Sequence, residues 1–551
     1  MFKVKTISSM EKVLPLREPS GEGFSGRLTA LRGETVSFQI ACFQDGVRKE
    51  KLHAEGSEFV RVRSVDLVPC EYPCHPDGRI DSDYLATTPG LYPDILREEP
   101  DYGFLMMSCQ WRALWVDICV PNDADAGEYS CEVSLFRIPF PGKQWEKECA
   151  AKVRVTVEVL DCCLPALDIP HTEWFHSDCL ANIYETEVFS EKHWGIIRNF
   201  LNTAAVRHCN MILTPLFTPP LDTAVGGERR TVQLVGVTKT EEEQYLFDFS
   251  KLERWVNLCK EVGLQYFEMS HLFSQWGAAA APKIVGTVNG QAKKLFGWET
   301  DASGQEYRTF LHAFLPALKK ELSLLGILEN SWFHISDEPS REQMESYRRA
   351  RDIVAPDLHG CHMMDALSDF DFYKEGLVET PVCATNHIRP FLEDRPRHLF
   401  AYYCMAQYRD VSNRFIVQPG YRTRILGMQL YREHIDGFLH WGYNFYNTEC
   451  SLYPIDPFTC TDAEGAFPSG DPFLVYPGKN GKPIESMRLM LMDEAFSDYC
   501  ALMALESRIG REETCHVLDK EQTIAIDKYP PSCGGAAGLR DSVNQKLRAV
   551  L

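Results

Sequence analysis

The sequence predicts a multidomain α/β plus β chain. An N-terminal antiparallel β-sandwich (residues 1–165) precedes a (β/α)8 TIM-type barrel (166–460), then a barrel-closing segment and C-terminal helical tail (461–551). Three observations predict it. Apolar residues alternate with period two through the first part of the chain, as in half-buried strands. Short apolar runs separated by helical stretches then replace that pattern, and eight of them span roughly 280 residues, the count and length of a (β/α)8 barrel. With 551 residues, the chain is also too long for one ordinary domain and ample for a large core.

The sandwich rests on strands with one apolar face. In "TVSFQIACF", Val36, Phe38, Ile40 and Cys42 share a face; in "ALWVDICVP", Leu114, Val116, Ile118 and Val120 do; in "KVRVTVEVL", Val153, Val155, Val157 and Val159 do. Polar turns such as "PNDADAGE" separate them, the pattern of antiparallel sheets with one solvated side. "GEGFSG" matches a dinucleotide fingerprint on paper, but no strand precedes it and no helix follows, so it is a loop. "LPALDIP", Leu164 to Pro170, is a stiff linker.

The eight barrel runs are "EWFHSDCLANIY", "CNMILTPLF", "QYFEMSHLF", "WFHISDEP", "LHGCHMMDA", "PVCATNHI", "LFAYYCM" and "GFLHWGYNFYN". After the fourth, Ser340 and Gln343 suit a capping box, and Met344, Tyr347, Ala350 and Val354 follow at helical spacing. Several runs end in polar or aromatic groups: His176 and Asp178, His271 and Trp276, Asn386 and His387, Trp441 and Asn444. In a barrel such ends line the active-site mouth. A Pro/Gly-rich stretch and a helix around Ser486–Arg508 close the pattern.

Composition limits the partners. Apolar residues are 44% and charged residues 25%, as in soluble globular proteins, and the formal net charge is −21. That charge repels phosphate backbones and anionic membrane surfaces, so neither nucleic acid nor membrane is an expected partner, whereas a neutral carbohydrate is compatible. The leading "MFKVKTISSMEKVLPLREPS" lacks the apolar core of a signal peptide, and no apolar run reaches membrane-span length. The 20 cysteines are scattered singly, and Cys209, Cys361, Cys383 and Cys404 resemble small core residues. A cytoplasmic protein with reduced thiols is expected. No cofactor is expected either. "CEYPCH" lacks a second pair at zinc spacing, and "HGCHMMD" (His359, His362, Asp365) reads as a strand. H-E-x-x-H, P-loop and G-x-S-x-G motifs do not occur.

The informative feature is "WFHISDEPS", where an apolar run stops at two adjacent carboxylates, Asp337 and Glu338. A solvated first helical turn would account for acidic residues at that point. Three features favour chemistry: the pair closes the fourth barrel strand, the preceding Trp332, Phe333, His334 and Ile335 can raise a carboxyl pKa, and other strand ends offer Trp276, Tyr403, Trp441 and Tyr443 for stacking on a pyranose. Neighbours on one strand are awkward as the two flanking carboxylates of an ordinary retaining glycosidase. They suit substrate assistance: Glu338 protonates the glycosidic oxygen, Asp337 holds the nitrogen of a 2-acetamido group, and the acetamido oxygen attacks the anomeric carbon. Two alternatives stay open, a glycosidase using another carboxylate such as Asp178 or Asp365 as nucleophile, and a non-catalytic carbohydrate-binding protein.

"HISDEP" resembles the catalytic strand of glycoside hydrolase family 123, the retaining β-N-acetylgalactosaminidases. "SGDPFLVYPGKNGKPIESMRLMLMDEAFSDYCAL" is similar to the segment closing the related domain of unknown function 4091, and "RGETVSFQI" with "LWVDICVPNDADAGEYSCEV" to that family's leading sandwich. The resemblance implies Asp337 as the acetamido-orienting group and Glu338 as acid/base. It implies no sugar contacts. Those rest on barrel position: His176, Asp178, His271, Trp276, His334, Tyr403, Trp441, Tyr443 and Asn444.

Overall fold

The computed structural model describes residues 2–45, 50–76, 78–100, 103–139, 148–520 and 523–551. Two five-stranded sheets form the N-terminal part. One orders Phe2–Ser8, Thr35–Gln44, Trp111–Cys119, Val60–Cys70 and Gly90–Glu98; the other Arg27–Arg32, Glu148–Cys163, Gly127–Pro139, Glu50–Gly56 and Phe104–Met106. The predicted alternation holds. Phe38, Ile40, Cys42, Leu114, Val116, Ile118, Val153, Val155, Val157 and Val159 join one buried cluster drawn from both sheets. The sheets are not wholly antiparallel, because Arg27–Arg32 runs parallel to Glu148–Cys163.

Eight strands form a closed parallel barrel: His171–Glu173, Met211–Thr214, Tyr266–Met269, Ser331–Phe333, His362–Leu367, Thr380–Ala384, Phe400–Tyr402 and Gly437–His440. Seven fall on the predicted runs, while the first run meets its strand only at Glu173 and continues as helix Ser177–Ile183. Closure is made by His171–Glu173 pairing with Met211 on one side and Phe438–His440 on the other. Period two sorts the side chains. Trp174, Met211, Leu213, Trp332, Met364, Ala366, Val382, Ala384, Phe400, Tyr402 and Leu439 form one compact cluster inside the barrel, while residues of the opposite parity, such as Ile212, Phe333, Cys383 and Ala401, belong to a larger outer core. At least one helix lies between successive strands in chain order. The helix after the fourth strand, Met344–Val354, follows the expected Ser340–Gln343 capping box.

A four-stranded sheet (Tyr245–Asp248, Gly236–Lys239, Ile284–Val288, Gln291–Phe296) interrupts the barrel sequence, an excursion the short apolar runs did not predict. Helix Met487–Ile509 is buried along most of its length. Its Met487, Met490 and Leu491 pack on the outward face of the first sheet, against Trp115 and Ala113. Buried ion pairs of Arg488 with Asp94 and of Arg63 with Asp117 lie at the same junction, fixing orientation more than adding stability. Among the described residues no helix is long and apolar enough to cross a membrane.

Candidate active site

Beyond Phe333 the fourth strand continues as extended chain held from both sides. The amides of Leu272 and Phe273 donate to the carbonyls of His334 and Ile335 (3.2 and 3.0 Å), and Trp276 N–H donates to the Asp337 carbonyl (2.9 Å). On the other side Glu338 N–H donates to the Ala366 carbonyl (3.1 Å). Glu338 adopts a left-handed backbone, φ +40°, just before Pro339. Such strain in a non-glycine residue persists where neighbours over-determine it, and it gathers at functional sites.

The pair opens into a cavity of about 180 Å3 whose walls include Trp174, His176, Asp222, Gln275, Trp276, Asp337, Glu338, Tyr402, Cys404, Trp441 and Phe467. Glu338 is exposed as a residue, but its carboxyl faces the cavity wall, where the buried Tyr402 hydroxyl donates to it. Desolvation raises the Glu338 carboxyl, and the Tyr402 hydrogen bond opposes it. Asp337 is pushed well above the usual carboxyl range by desolvation first and then by the charge of Glu338, with His334 opposing. The two share protons as one pair.

Beneath them lies a buried charge network. His334 bonds Glu268 through Nε2 (2.7 Å) and Asp365 through Nδ1 (3.0 Å). Burial alone would discharge it, but hydrogen bonds and charges from the two carboxylates prevail and lift it to about 10. Glu268 also accepts from Thr172 Oγ1 (2.7 Å) and Trp174 Nε1 (2.6 Å), fixing Trp174 in the cavity wall. Asp365 accepts from the Ile335 amide and the Tyr347 hydroxyl. His271 stacks on His334 with ring centroids 4.3 Å apart, and among the described residues no donor or acceptor reaches either of its nitrogens. Burial and the His334 charge keep it neutral.

Metal-capable atoms of His271, His334 and Asp365 lie within 4.8 Å of one another. Both His334 nitrogens are already taken by carboxylates, and stacked rings aim their lone pairs in separate planes. His334 and Asp365 are committed to hydrogen bonds rather than to a coordination sphere.

Of the residues predicted at the site, Asp337, Glu338, His176, Trp276 and Trp441 line the cavity. His176 is held by Arg229 Nη2 at Nδ1 (3.1 Å) and by the Trp441 carbonyl at Nε2 (2.9 Å). Burial and then Arg229 lower it to about 3, so it presents a neutral ring. The other six are not in the wall. Asp178 is enclosed by Arg229 (2.7 and 2.8 Å). His271 and His334 sit in the network below. Tyr403 points outward, its hydroxyl on Met492 Sδ (3.3 Å), and Tyr443 donates to the Phe200 carbonyl (2.9 Å). Asn444 clamps the His176 backbone through both ends of its amide.

Trp174, Asp222, Gln275, Tyr402, Cys404 and Phe467 also line the cavity, although the strand-end pattern does not mark them. For Tyr402 and Cys404 the signal was present, since Phe400, Tyr402 and Cys404 share one parity and Tyr403 has the other. Trp441 is steered by Asp471, which accepts from its Nε1 (3.0 Å) and which burial raises to about 7.

The family model for the catalytic domain of glycoside hydrolase 123 matches residues 174–505. A family 123 glycoside hydrolase from Clostridium perfringens, an enzyme of glycolipid glycan hydrolysis, superposes over 100% of this chain and 98% of its own with a TM-score of 0.76 at 12% identity. An endo-β1,6-glucanase aligns over 60% of this chain and 76% of its own, with 10% identity and a TM-score of 0.35. No curated protein sequence matches the chain. The match to residues 174–505 spans the cavity, its carboxylate pair and the closing helix, and the chain belongs to glycoside hydrolase family 123 and is a glycoside hydrolase.

Proposed function

We propose that the enzyme is a retaining exo-glycosidase that removes terminal β-linked N-acetylhexosamine, preferring N-acetylgalactosamine, by substrate assistance through an oxazolinium intermediate. One observation carries this reading: among the described residues, the carboxylates that line the cavity are Asp222, Asp337 and Glu338. Asp178 is consumed by Arg229, Asp365 by His334, Ile335 and Tyr347, and Glu173 by Arg414. The nucleophiles that a non-acetamido glycosidase would draw from Asp178 or Asp365 are therefore sequestered, while the adjacent pair faces Trp174, Trp276 and Trp441.

Desolvation raises both carboxyls, so the pair retains a proton. An acetamido N–H donating to Asp337 favours its charged form and lowers its pKa. The proton then resides on Glu338, next to the glycosidic oxygen. As the acetamido oxygen closes on the anomeric carbon, Glu338 protonates the leaving group and Asp337 meets the positive charge growing on nitrogen. Glu338 then takes a proton from the water that opens the ring. The buried His334 cation keeps Asp337 from holding its proton too tightly. We also read the helices between strands as the outer ring of a (β/α)8 barrel, with boundaries near residues 165 and 460, and the chain as cytoplasmic.

The glycan chain beyond the terminal sugar is a separate matter; the Clostridium perfringens relative, which hydrolyses glycolipid glycans, supports a glycoconjugate. A panel of nitrophenyl glycosides tests the reading. Hydrolysis confined to 2-acetamido sugars agrees with it, and comparable hydrolysis of plain hexosides contradicts it.

A further inference from the structure

Asp222 is the third carboxylate of the cavity wall, and neither the family motif nor the predicted strand ends assign it a part. It lies in the loop after the second barrel strand with a left-handed backbone, φ +39°. Its amide donates to Gln275 Oε1 (2.6 Å), while Gln275 Nε2 donates to the next carbonyl, Thr223 (3.2 Å), and Ser451 Oγ donates to the Asp222 carbonyl (2.7 Å). Cys450 and Ser451, which face this loop, are also left-handed, φ +56° and +52°. Three strained non-glycine residues thus fix one carboxylate at the wall. Among the described residues no side chain donates to it; the backbone amides of Cys450 and Ser451 approach the carboxyl and oppose its desolvation, while its Oδ2 is buried without a hydrogen bond of normal geometry. A buried acceptor left so is costly unless something supplies a donor.

Chain and hydrogen-bond connectivity link the wall groups in a sequence that points to the donor. Glu338 is followed by Asp337, the Asp337 carbonyl by Trp276 N–H, Trp276 by Gln275, and Gln275 by Asp222. On a pyranose the glycosidic oxygen at C1 is followed by the 2-substituent, then by the 3- and 4-hydroxyls. Resting on the assignment of Glu338 to the glycosidic oxygen and Asp337 to the 2-acetamido nitrogen, we infer that Asp222 accepts hydrogen bonds from the 3- and 4-hydroxyls of the terminal sugar and so reads the configuration at C4. The apolar side of the wall, Leu439, Trp441 and Phe467, is left for C5 and C6.

The test measures kcat/KM of wild type, Asp222→Ala and Asp222→Asn on nitrophenyl N-acetylgalactosaminide and its 3-, 4- and 6-deoxy analogues, with melting temperature as the folding control. A hydrogen bond to a charged group corresponds to ~10–100-fold. Asp222→Ala is expected to lose that factor on the parent and the 6-deoxy compound, and only a few-fold on the 3- or 4-deoxy compound whose donor is already gone. Equal losses on all four substrates, or none, would overturn the assignment. Should both variants unfold, the native enzyme still decides: it must disfavour the 3- or 4-deoxy compound ~10–100-fold more than the 6-deoxy one, and equal tolerance overturns the inference. If instead the wild type ignores acetamido sugars and cleaves plain hexosides, the mechanism above is what fails, and the same deoxy series on the accepted sugar still decides Asp222.

Discussion

The hydroxyl of Tyr402 donates to the carboxyl of Glu338, so the ends of the seventh and fourth barrel strands meet across the cavity. That bond favours the ionised carboxylate and opposes the upward push of desolvation. Tyr402→Phe removes it. The Glu338 pKa then rises further, the alkaline limb of the kcat/KM profile moves to higher pH, and kcat falls ~10-fold, the size of one hydrogen bond to a charged group. A pH–rate profile of the variant checks this; a fall in rate with an unmoved limb would leave Tyr402 a packing role only.

Glu338→Gln keeps shape and removes the transferable proton, with an expected loss of ~10²–10⁴ in kcat. The loss shrinks for a dinitrophenolate, which departs without protonation. Leaving-group series on both proteins check it, and an equal loss across the series removes Glu338 from the acid role.

Trp441 and Tyr443 separate by function although they are two residues apart. Trp441→Ala is expected to weaken product-sugar binding with the fold retained, since Trp441 lies in the cavity wall. Tyr443→Phe deletes the buried bond to Phe200, costs about 1 kcal/mol of stability and leaves sugar affinity unchanged. Calorimetric titration with N-acetylgalactosamine and thermal unfolding of each variant distinguish the two.

The pattern of what the sequence disclosed follows from range of interaction. Strand runs, the capping box at Ser340 and the pair Asp337–Glu338 are local, and the structure places them where period and spacing predict. Trp441 and His176 were reachable because strand ends line a barrel mouth. Asp178 was not, because its partner Arg229 lies 51 residues away and nothing local marks the pairing. Tyr402 rather than Tyr403 has the inward parity, which shows only once the strand is counted from Phe400. Asp222 stands alone in an irregular loop, and only the fold brings Gln275 and Ser451 to it.

His334 makes stability pH-dependent. Its folded value of about 10 lies above the ordinary 6.5, so its contribution is complete below pH 6.5 and is lost as pH rises to about 10. His334→Gln leaves Glu268 and Asp365 buried without their cation, an expected cost of about 3–5 kcal/mol near neutrality. The gap in melting temperature between wild type and variant should narrow from pH 6.5 to 10. A gap constant with pH would contradict an imidazolium at this position.

The most direct test of the account is the inhibition constant of N-acetylgalactosamine-thiazoline, relative to N-acetylgalactosamine itself, in wild type and in Asp337→Asn. The thiazoline copies the bicyclic intermediate, and an analogue of that kind binds ~10² or more tighter than the product where the protein is complementary to the transition state. Wild type is predicted to show that preference and Asp337→Asn to lose most of it, with product affinity nearly unchanged. A wild-type enzyme that binds the thiazoline no better than the free sugar would contradict substrate assistance.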